Sequence, residues 1–346
     1  MSLIDTVPDI IRDVIIIGGG LAGLSAALYL GRSQRDTILI ESGHSMAVWE
    51  PDVQNYLGFP EGISGLSLLE KGRAHVTRYG VGIIQDDIRE IAKQGEVFDI
   101  HGASEQYRAN RLLLATGLTH LPPEIPGVRE CLGHSLFFCK DCDAYRVQGK
   151  RIVVIGANNE AVEYALAMLA YSPSVSIATH GKDIRWGDGQ AEWLEVYDVP
   201  VRRDRIVHVE HEGGQIRALH FEKGTRLEVE AVFTTRGDVY HTGLAEGVGA
   251  DLDRDGQIKV NEDMRTSVPG LYAAGCVTPA NCQMIIAAGQ GATAAQAINR
   301  DLFEQSLRTH SLPVYQEGAK FGVRGSTQSI SASNAAPRNP RTGDSQ

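Results

Sequence analysis

A glycine-rich turn between a strand pattern and a helix pattern constrains the fold more than any other feature of this chain. Residues 14–17 are β-branched and apolar, which predicts a buried parallel strand, and the turn Gly18-Gly19-Gly20-Leu21-Ala22-Gly23 follows at once. In this spacing the first glycine permits a tight turn, the second lets a pyrophosphate approach the backbone, and the third lets the helix pack on the strand. Since the N–H groups of a helix N-terminus favour anions, we expect a dinucleotide to bind at Gly18, Gly20, Leu21, Ala22 and Gly23.

A carboxylate follows at the end of the next predicted strand. Residues 37–40 are apolar or β-branched and lead directly into Glu41. Its position is close to the roughly 20-residue spacing at which an acid in this kind of unit binds ribose hydroxyls. Strand, turn, helix and acid thus occur in the order of a dinucleotide-binding unit, and we expect Glu41 to bind the ribose.

A second strand–turn–helix unit begins near residue 151, but its turn departs from the pattern. The segment Gly156-Ala157-Asn158-Asn159-Glu160-Ala161 places Asn158 where the second glycine belongs, and a side chain there obstructs the approach of a pyrophosphate. After the next strand pattern no acid stands for a ribose diol, and only Lys182 and Arg185 are near for a 2′-phosphate. We therefore expect a nucleotide-type fold with poor chemistry for NADPH.

A pair of cysteines lies just before this second unit, in the segment Cys139-Lys140-Asp141-Cys142-Asp143. A C-x-x-C pair can form a disulfide that is easily reduced and re-formed, and a dinucleotide-binding fold can place a redox ring beside it. The combination predicts electron transfer through a dithiol. The alternative is a zinc site with His134 as a third ligand, but no fourth ligand stands at a suitable spacing. We expect no metal.

Composition limits the class of protein and its partners. The 346 residues include 38 glycines and 42% hydrophobic residues, as expected of an α/β enzyme long enough for two domains. The net charge of −10 argues against nucleic acid as the main partner. Five cysteines without the spacing of a secreted disulfide framework favour a reducing, cytoplasmic compartment. We expect neither a signal peptide nor a membrane span, since glycines interrupt the apolar stretch 14–30.

Taken in order, these motifs resemble those of the low-molecular-weight thioredoxin reductases, over roughly the first nine-tenths of the chain. The resemblance rests on Gly18-x-Gly20-x-x-Gly23, Asn55-Tyr56-Leu57-Gly58-Phe59-Pro60, Ala115-Thr116-Gly117, Cys139-x-x-Cys142-Asp143 and Ala273-Ala274-Gly275…Gln283…Ala287-x-Gly289. It implies an α/β fold of two Rossmann-like three-layer domains, in which a nicotinamide-type domain interrupts a discontinuous FAD-binding domain.

The same resemblance sets the domain boundaries that we expect. We place the FAD-binding domain at residues 1–122 and 240–310, the inserted domain at 123–239 and a C-terminal tail at 311–346. The proline-rich segment 121–127 is expected to be a hinge. Rotation about it would let the dithiol face the flavin and the substrate in turn.

The resemblance also implies a role for each matching residue at the first site, which would bind FAD. The ADP half would contact Gly18, Gly20, Gly23 and Glu41, the isoalloxazine would lie near Asn55, and the remaining contacts would come from Thr116, Gly117, Gly275 and Gln283. Cys142 would be the sulfur on the flavin side, and Cys139 would attack the substrate disulfide. Asp143 would donate and accept protons, since a carboxyl beside a dithiol can manage the proton that thiol–disulfide exchange releases.

Departures from the family pattern resemble its atypical subgroup, whose NADPH site is degraded and whose members are ferredoxin-dependent, diflavin-linked or deep-rooted. Asn158 interrupts the second glycine turn, and His180-Gly181-Lys182 keeps only the histidine of the family's His-Arg-Arg segment. Gly275-Cys276 and Cys282-Gln283 stand for its Gly-Asp and Arg-Gln pairs. We therefore expect a donor other than NADPH, such as ferredoxin or a second FAD in the inserted domain. The expected acceptor is a thioredoxin-like protein or a small disulfide, and the expected assembly is a homodimer.

Two alternatives stay open at this point. One is a conventional NADPH-dependent thioredoxin reductase with a rebuilt phosphate site, and the other is a redox-sensing flavoprotein without turnover. Cys131, Cys276 and Cys282 are expected to be small buried residues rather than redox groups. A second pair formed by Cys276 and Cys282 near the flavin is the less favoured reading.

Overall fold

The protein is represented by a computed structural model that describes residues 10–235 and 237–313. The strands in these ranges are β1 (Ile11–Ile17), β2 (Thr37–Glu41), β3 (Gly82–Gln85), β4 (Ile88–Gln94), β5 (Val97–Gly102), β6 (Gln106–Leu114), β7 (Leu118–His120), β8 (Leu136–Phe137), β9 (Ile152–Ile155), β10 (Val175–Ala178), β11 (Val201–Arg202), β12 (Ile206–Glu212), β13 (Gln215–Phe221), β14 (Arg226–Glu228), β15 (Ala231–Thr234), β16 (Asp238–Tyr240) and β17 (Leu271–Ala273). The α-helices are α1 (Leu21–Arg32), α2 (Gly65–Thr77), α3 (Lys140–Asp143), α4 (Asn159–Met168), α5 (Asp188–Val196), α6 (Gly243–Gly247) and α7 (Met284–Arg308). Short 3-10 helices cover Met46–Trp49, Arg129–Cys131 and Ala144–Val147.

The first sheet has the order β3-β2-β1-β6-β5-β4, and β17 pairs with the C-terminal part of β6. Strands β1, β2, β3, β6 and β17 run parallel to one another. Strand β5 is antiparallel to β6, and β4 is antiparallel to β5. Residues 14–17 of β1 are buried at the centre, as the β-branched run predicted. Because β17 follows the second sheet in the chain, the first sheet is discontinuous in sequence, as the family resemblance implied.

Helices α1 and α7 pack against each other on one face of this sheet. An added Cβ at Gly291 would lie 2.0 Å from the carbonyl oxygen of Ala22, so the two helices meet backbone to backbone. The loop after β17 reaches the same place, since an added Cβ at Gly275 would lie 3.0 Å from Cβ of Ala22. The start of α1 and the loop after β17 therefore lie side by side.

The second sheet is parallel, in the order β11-β10-β9-β15-β8. Helix α4 covers one face through side chains such as Val162 and Met168, which share a core with Ile152 and Phe233. The antiparallel sheet β12-β13-β14 covers the other face through Leu219 and its neighbours. These layers form a second Rossmann-type α/β unit between two parts of the first, in the arrangement that the resemblance implied.

The two passages of the chain between the sheets pair with each other. Strand β7 lies on the first passage and β16 on the return, and they are antiparallel, with Leu118 opposite Tyr240 and His120 opposite Asp238. The paired strands begin at Leu118, just before the predicted hinge at 121–127. The exact boundaries at residues 122 and 240, and rotation about this hinge, stay predictions.

Two further expectations concern the ends of the chain and its relation to membranes. The predicted tail, 311–346, lies outside the described residues except for 311–313. Among the described residues, no helix combines the length and the apolar character that crossing a membrane requires.

Candidate functional site

A cavity of about 710 Å³ collects residues from the first sheet, from the loops around it and from the segment that follows β8. The predicted site residues that line it are Gly18, Gly20, Leu21, Ala22, Glu41, Asn55, Thr116, Gly117, Cys139, Cys142, Asp143, Gly275 and Gln283. Gly23 is buried behind this wall, where an added Cβ would lie 1.9 Å from the carbonyl oxygen of Gly18. The cavity thus brings together residues that are separated by up to 265 positions (283 − 18) in the sequence.

The first glycine turn has the shape that a dinucleotide requires. Gly18 has a φ of +115°, and an added Cβ would lie 2.1 Å from the carbonyl oxygen of Ala115, so only glycine fits there. Gly20 begins helix α1, and no side chain among the described residues caps that N-terminus. An added Cβ at Gly20 would have its nearest contact at 3.9 Å, on Oγ of Ser45. The N–H groups of α1 are therefore open to the cavity and suited to the pyrophosphate of FAD.

Glu41 is held in place by an arginine that the sequence analysis missed. Arg73 of α2 donates from Nε to Oε1 of Glu41 at 2.9 Å and from Nη2 to Oε2 at 2.8 Å. This two-point contact fixes the carboxylate above Gly19, where an added Cβ would lie 1.7 Å from Oε2 of Glu41. Arg73 carries no motif of its own, and only the packing of α2 brings it to this site.

Each of the residues expected around the flavin is held by a hydrogen bond, either to another member of the set or to a neighbouring residue. Asn55 donates from Nδ2 to Oε1 of Gln283 at 3.4 Å. The backbone N–H of Gly275 donates to Oε1 of Gln290 at 2.8 Å, and Gly275 has a φ of +84°. Thr116 donates from Oγ1 to the carbonyl oxygen of His241 at 2.7 Å. Asn55 and Gln283 are thus joined directly, Gly275 and Thr116 are held by other residues, and the contacts of all four with FAD stay a prediction.

Cys139 and Cys142 form a disulfide that faces the cavity. Cys139 is also the N-cap of the short helix α3, and its Sγ accepts a hydrogen bond from the backbone N–H of Cys142 at 3.1 Å. Lowering the pKa of a thiol increases the fraction of thiolate, the form that attacks disulfides. The N–H of Cys142 would support such a thiolate at Cys139 once the bond is reduced.

Asp143 follows Cys142 in the chain, lines the same cavity and is 4% exposed. Burial raises the pKa of its carboxyl, while a hydrogen bond from Nη1 of Arg146 to Oδ1 at 2.7 Å opposes the shift. The result is a buried acid that lines the cavity and is adjacent in sequence to the dithiol pair. Such a group can hold a proton and release it within the site.

Glu50 and His120 also line the cavity, and the sequence analysis missed both. Burial, followed by the negative charge of Asp143, raises the pKa of Glu50 to about 7, against the charges of Arg146 and His120. His120 stacks on Phe138 with ring centroids 4.6 Å apart, and its Nδ1 lies 2.5 Å from Oδ1 of Asp238. No local pattern could have revealed these two residues, because their environment comes from segments far apart in the chain.

Cys276 and Cys282 form a second disulfide, which corrects the expectation that they are only small buried residues. Both line the cavity that Cys139 and Cys142 also line. Cys131 does match the expectation, since it is a free, fully buried thiol whose pKa burial raises to about 11. The pairing of Cys276 with Cys282 joins the two ends of the loop between β17 and α7.

The second turn is filled by the protein's own atoms. Asn158 is the N-cap of α4, and its Oδ1 accepts hydrogen bonds from the N–H of Ala161 at 3.2 Å and from Oγ1 of Thr235 at 3.1 Å. The N–H of Arg185 donates to the carbonyl oxygen of Ala157 at 2.7 Å. Asn158 therefore satisfies an N–H group that a pyrophosphate would use at an open turn.

The fold brings two further arginines near the segment that contains Lys182, on a strand that the sequence analysis did not consider. Strand β11 lies beside β10 and ends in Arg202, with Arg203 following. The N–H of Thr179 donates to the carbonyl oxygen of Arg202 at 2.9 Å, and the N–H of Gly181 donates to that of Arg203 at 3.1 Å. Two arginines thus lie next to the segment where the sequence analysis looked for them, on a different strand.

A glycine turn suited to a dinucleotide, a disulfide and a buried carboxyl that share one cavity define a flavin-dependent disulfide oxidoreductase. The chain belongs to the family described as "Pyridine nucleotide-disulphide oxidoreductase", which matches residues 12–298. It is 30% identical to the thioredoxin reductase of Bacillus subtilis over 314 residues, which is 86% of this chain and 98% of the relative. It is 33% identical to the thioredoxin reductase of Treponema pallidum over 294 residues, 82% of this chain and 95% of the relative.

Solved structures agree with this assignment. The crystal structure of HlmI superposes with a TM-score of 0.83 at 30% sequence identity, covering 88% of this chain and 96% of the other. The predicted fold class and the prediction of a flavin-dependent oxidoreductase are confirmed. The roles of the individual site residues stay predictions.

Proposed function

We propose that this enzyme passes an electron pair through FAD to the Cys139–Cys142 disulfide, and from there to a thioredoxin-like protein or a small disulfide. One observation carries this proposal. The disulfide lines the same cavity as Gly18 and Gly20, whose open turn fits the pyrophosphate of FAD. The named relatives support the choice of acceptor, since they are thioredoxin reductases.

The second half of the reaction uses only the side chains of this chain and the substrate. Bound FAD supplies the electron pair that reduces Cys139–Cys142 to two thiols. The Cys139 thiolate then attacks one sulfur of the substrate disulfide, and the other sulfur leaves as a thiolate. Cys142 displaces the substrate from the mixed disulfide, so the Cys139–Cys142 bond forms again and the substrate leaves as a dithiol.

Asp143 supports this exchange by moving protons. Its carboxyl is buried beside the disulfide, and burial raises its pKa, so the acid holds a proton more readily than a solvated aspartate. It can accept a proton when a thiol ionises and return it to the leaving thiolate. Asp141 is the contrasting acid, because it is exposed and paired with Lys140 at 2.6 Å.

We further propose that the electron donor is not NADPH, and that ferredoxin or a second FAD takes its place. The support is the N-cap at Asn158, whose side chain occupies the N-terminus of α4 together with Thr235. The pyrophosphate of NADPH would have to displace these hydrogen bonds, and so would that of a second FAD bound at this turn, so the cap favours ferredoxin over a second FAD. The corresponding N-terminus of α1 has no such side chain among the described residues.

The second candidate is the conventional reaction, in which NADPH reduces the flavin. Arg203 favours it, because it is exposed and its carbonyl oxygen accepts from the N–H of Gly181, near the edge where a 2′-phosphate could bind, whereas the guanidinium of Arg202 lies over the ring of Phe221 at 5.4 Å. The similarity to proteins named thioredoxin reductase favours it as well. The two candidates share the dithiol chemistry and differ only in the donor.

The flavin content of the purified chain, followed by anaerobic mixing with NADPH, separates these candidates. One flavin per chain that NADPH bleaches within seconds establishes the conventional reaction. Two flavins per chain, or one that NADPH leaves oxidised while reduced ferredoxin bleaches it, establishes the donor proposal. If Cys139→Ser leaves turnover of thioredoxin disulfide unchanged, the proposed electron route itself is wrong.

We also propose a homodimer in a reducing, cytoplasmic compartment, on the basis of the resemblance and the cysteine spacing. Sedimentation equilibrium of the purified protein tests the assembly, and a mass equal to one chain at every concentration contradicts it. Fractionation of the source cells tests the compartment.

A further inference from the structure

The Cys276–Cys282 disulfide lies in a short loop at the wall of the cavity, where a crosslink with a purely structural role is not required. It joins residues only six positions apart, across the loop that connects β17 to α7. Both cysteines are partly exposed and line the cavity that holds the Cys139–Cys142 pair. The loop also begins after Gly275 and ends before Gln283, the two residues expected to contact the flavin.

The loop is held in shape by hydrogen bonds that do not involve either sulfur. Thr278 donates from Oγ1 to the carbonyl oxygen of Gly275 at 2.8 Å, and the N–H of Gly275 donates to Oε1 of Gln290 at 2.8 Å. Gln257 donates from Nε2 to the carbonyl oxygen of Thr278 at 2.8 Å. These bonds would remain if the disulfide opened, so the pair can alternate between disulfide and dithiol without unfolding the loop.

Cys131 shows the contrasting environment for a cysteine in this chain. It is fully buried, does not line the cavity that the other four cysteines line, and has a pKa that burial raises to about 11, so it is a poor nucleophile. Cys276 and Cys282 differ in each respect that matters for exchange, because they are bonded to each other and reachable from the cavity.

We propose that Cys276–Cys282 is a second redox-active disulfide of the site, which receives an electron pair from the reduced Cys139–Cys142 pair by thiol–disulfide exchange. This inference rests on the proposed function only in that Cys139 and Cys142 become reduced. With this exchange, the two cysteine pairs of the site could each store one electron pair as a dithiol, in addition to the pair held by the flavin.

The exchange balances without any outside reagent. The Cys142 thiolate attacks one sulfur of the Cys276–Cys282 bond, and the other sulfur leaves as a thiolate. Cys139 then attacks Cys142 in the mixed disulfide, which re-forms the Cys139–Cys142 bond and frees the second sulfur. Two electrons pass from the first pair to the second, and the two protons lost by the first pair are taken up by the second.

The test follows each cysteine of the full-length flavoprotein over time. The protein is mixed anaerobically with two molecules of dithiothreitol per chain, quenched in acid, alkylated, and analysed by peptide mass spectrometry. In the unsubstituted protein we expect thiols first at Cys139 and Cys142 and then at Cys276 and Cys282. In Cys139→Ser/Cys142→Ser, the reduction of Cys276–Cys282 should become at least about tenfold slower, since the internal route is gone.

Two results overturn the proposal. One is a Cys276–Cys282 bond that stays intact in the unsubstituted protein after Cys139 and Cys142 are fully reduced. The other is reduction at the same rate in Cys139→Ser/Cys142→Ser, which means that dithiothreitol reaches the second pair directly. Flavin content per chain verifies that this variant is folded, and Cys131→Ser serves as the matched control that should not change either rate.

The failure of this inference can be told apart from the failure of the proposed function. Turnover of thioredoxin disulfide by Cys139→Ser reports on the proposed function, whereas the order of alkylation reports on the exchange. A protein that loses turnover with Cys139→Ser but never reduces Cys276–Cys282 keeps its function and disproves the second site.

Discussion

Gly20 and Asn158 hold equivalent places at the starts of α1 and α4, and only Asn158 fills the N-terminus of its helix with its own side chain. Gly20 leaves the N–H groups of α1 facing the cavity, whereas Oδ1 of Asn158 accepts from Ala161 and from Thr235. One residue type at one position therefore separates an open anion site from a closed one. This difference makes the electron donor the most informative property to measure.

Replacing Asn158 by glycine should open the second turn. We expect Asn158→Gly to bleach its flavin faster with NADPH than the unsubstituted protein, because the N–H of Ala161 becomes available to a pyrophosphate. The loss of the cap should lower the free energy of unfolding by only a few tenths of a kcal/mol, since glycine is itself tolerated at the N-cap. Stopped-flow absorbance and a denaturant titration measure the two effects. Asn158→Ser keeps a capping oxygen and is the control, which should gain nothing; equal bleaching by both variants contradicts the role given to the cap.

Asp143→Asn should slow disulfide turnover about a hundredfold, because a positioned acid or base typically contributes at least that factor. The flavin content should not change, since the substitution keeps the shape of the side chain. Turnover of thioredoxin disulfide as a function of pH is the measurement. Asp141→Asn is the matched control, as its carboxylate is 65% exposed at the surface. If the two variants behave alike, Asp143 has no part in proton transfer.

Glu50 should make stability depend on pH. Burial raises the pKa of its carboxyl from 4.5 to about 7 in the folded protein. Between these pH values the unfolded chain releases a proton that the folded chain keeps. The free energy of unfolding therefore falls as pH rises. The contribution is complete below pH 4.5 and is lost as pH rises through about 7. The free energy of unfolding, measured from pH 5 to 8, should fall less steeply in Glu50→Gln than in the unsubstituted protein; identical slopes would show that Glu50 is not protonated in the folded state.

Gly18→Ala should abolish FAD binding and destabilise the fold. The new Cβ would lie 2.1 Å from the carbonyl oxygen of Ala115, in addition to the cost of a φ of +115°. Gly224→Ala isolates the backbone cost, because Gly224 has a φ of +81° and open space around it. That control should lose about 1–2 kcal/mol of stability and keep its flavin. Flavin content and thermal melts compare the two variants, and a Gly18→Ala protein that retains FAD would contradict the fit described for the turn.

The sequence predicted features whose physical cause lies within one short segment. The positive φ of Gly18, the close approach of Gly23 to Gly18, the buried strand at residues 14–17 and the pairing of Cys139 with Cys142 each depend on neighbours in the chain. The order of these motifs supported the resemblance to a known family, and that resemblance implied the discontinuous fold. The loop from 276 to 282 was harder, because two cysteines six positions apart form a bond only if the loop turns back on itself.

Other parts of the site could not be predicted because distant segments create them. Arg73 reaches Glu41 through the packing of α2, and Arg202 lies beside residue 179 through the pairing of β11 with β10. The raised pKa of Glu50 depends on burial and on the charge of Asp143, which is ninety-three positions away (143 − 50). Such environments exist only after the chain has folded.

The pairing of β7 with β16 has a mechanical consequence. The chain crosses between the two sheets twice, and backbone hydrogen bonds join these crossings into one ribbon, reinforced by the contact between His120 and Asp238. Two connecting segments that were not paired with each other would permit rotation of the inserted unit about many axes. We expect a single ribbon to bend and twist as one piece, so that any movement of the dithiol would be restricted to a few directions and both crossings would transmit the same torque.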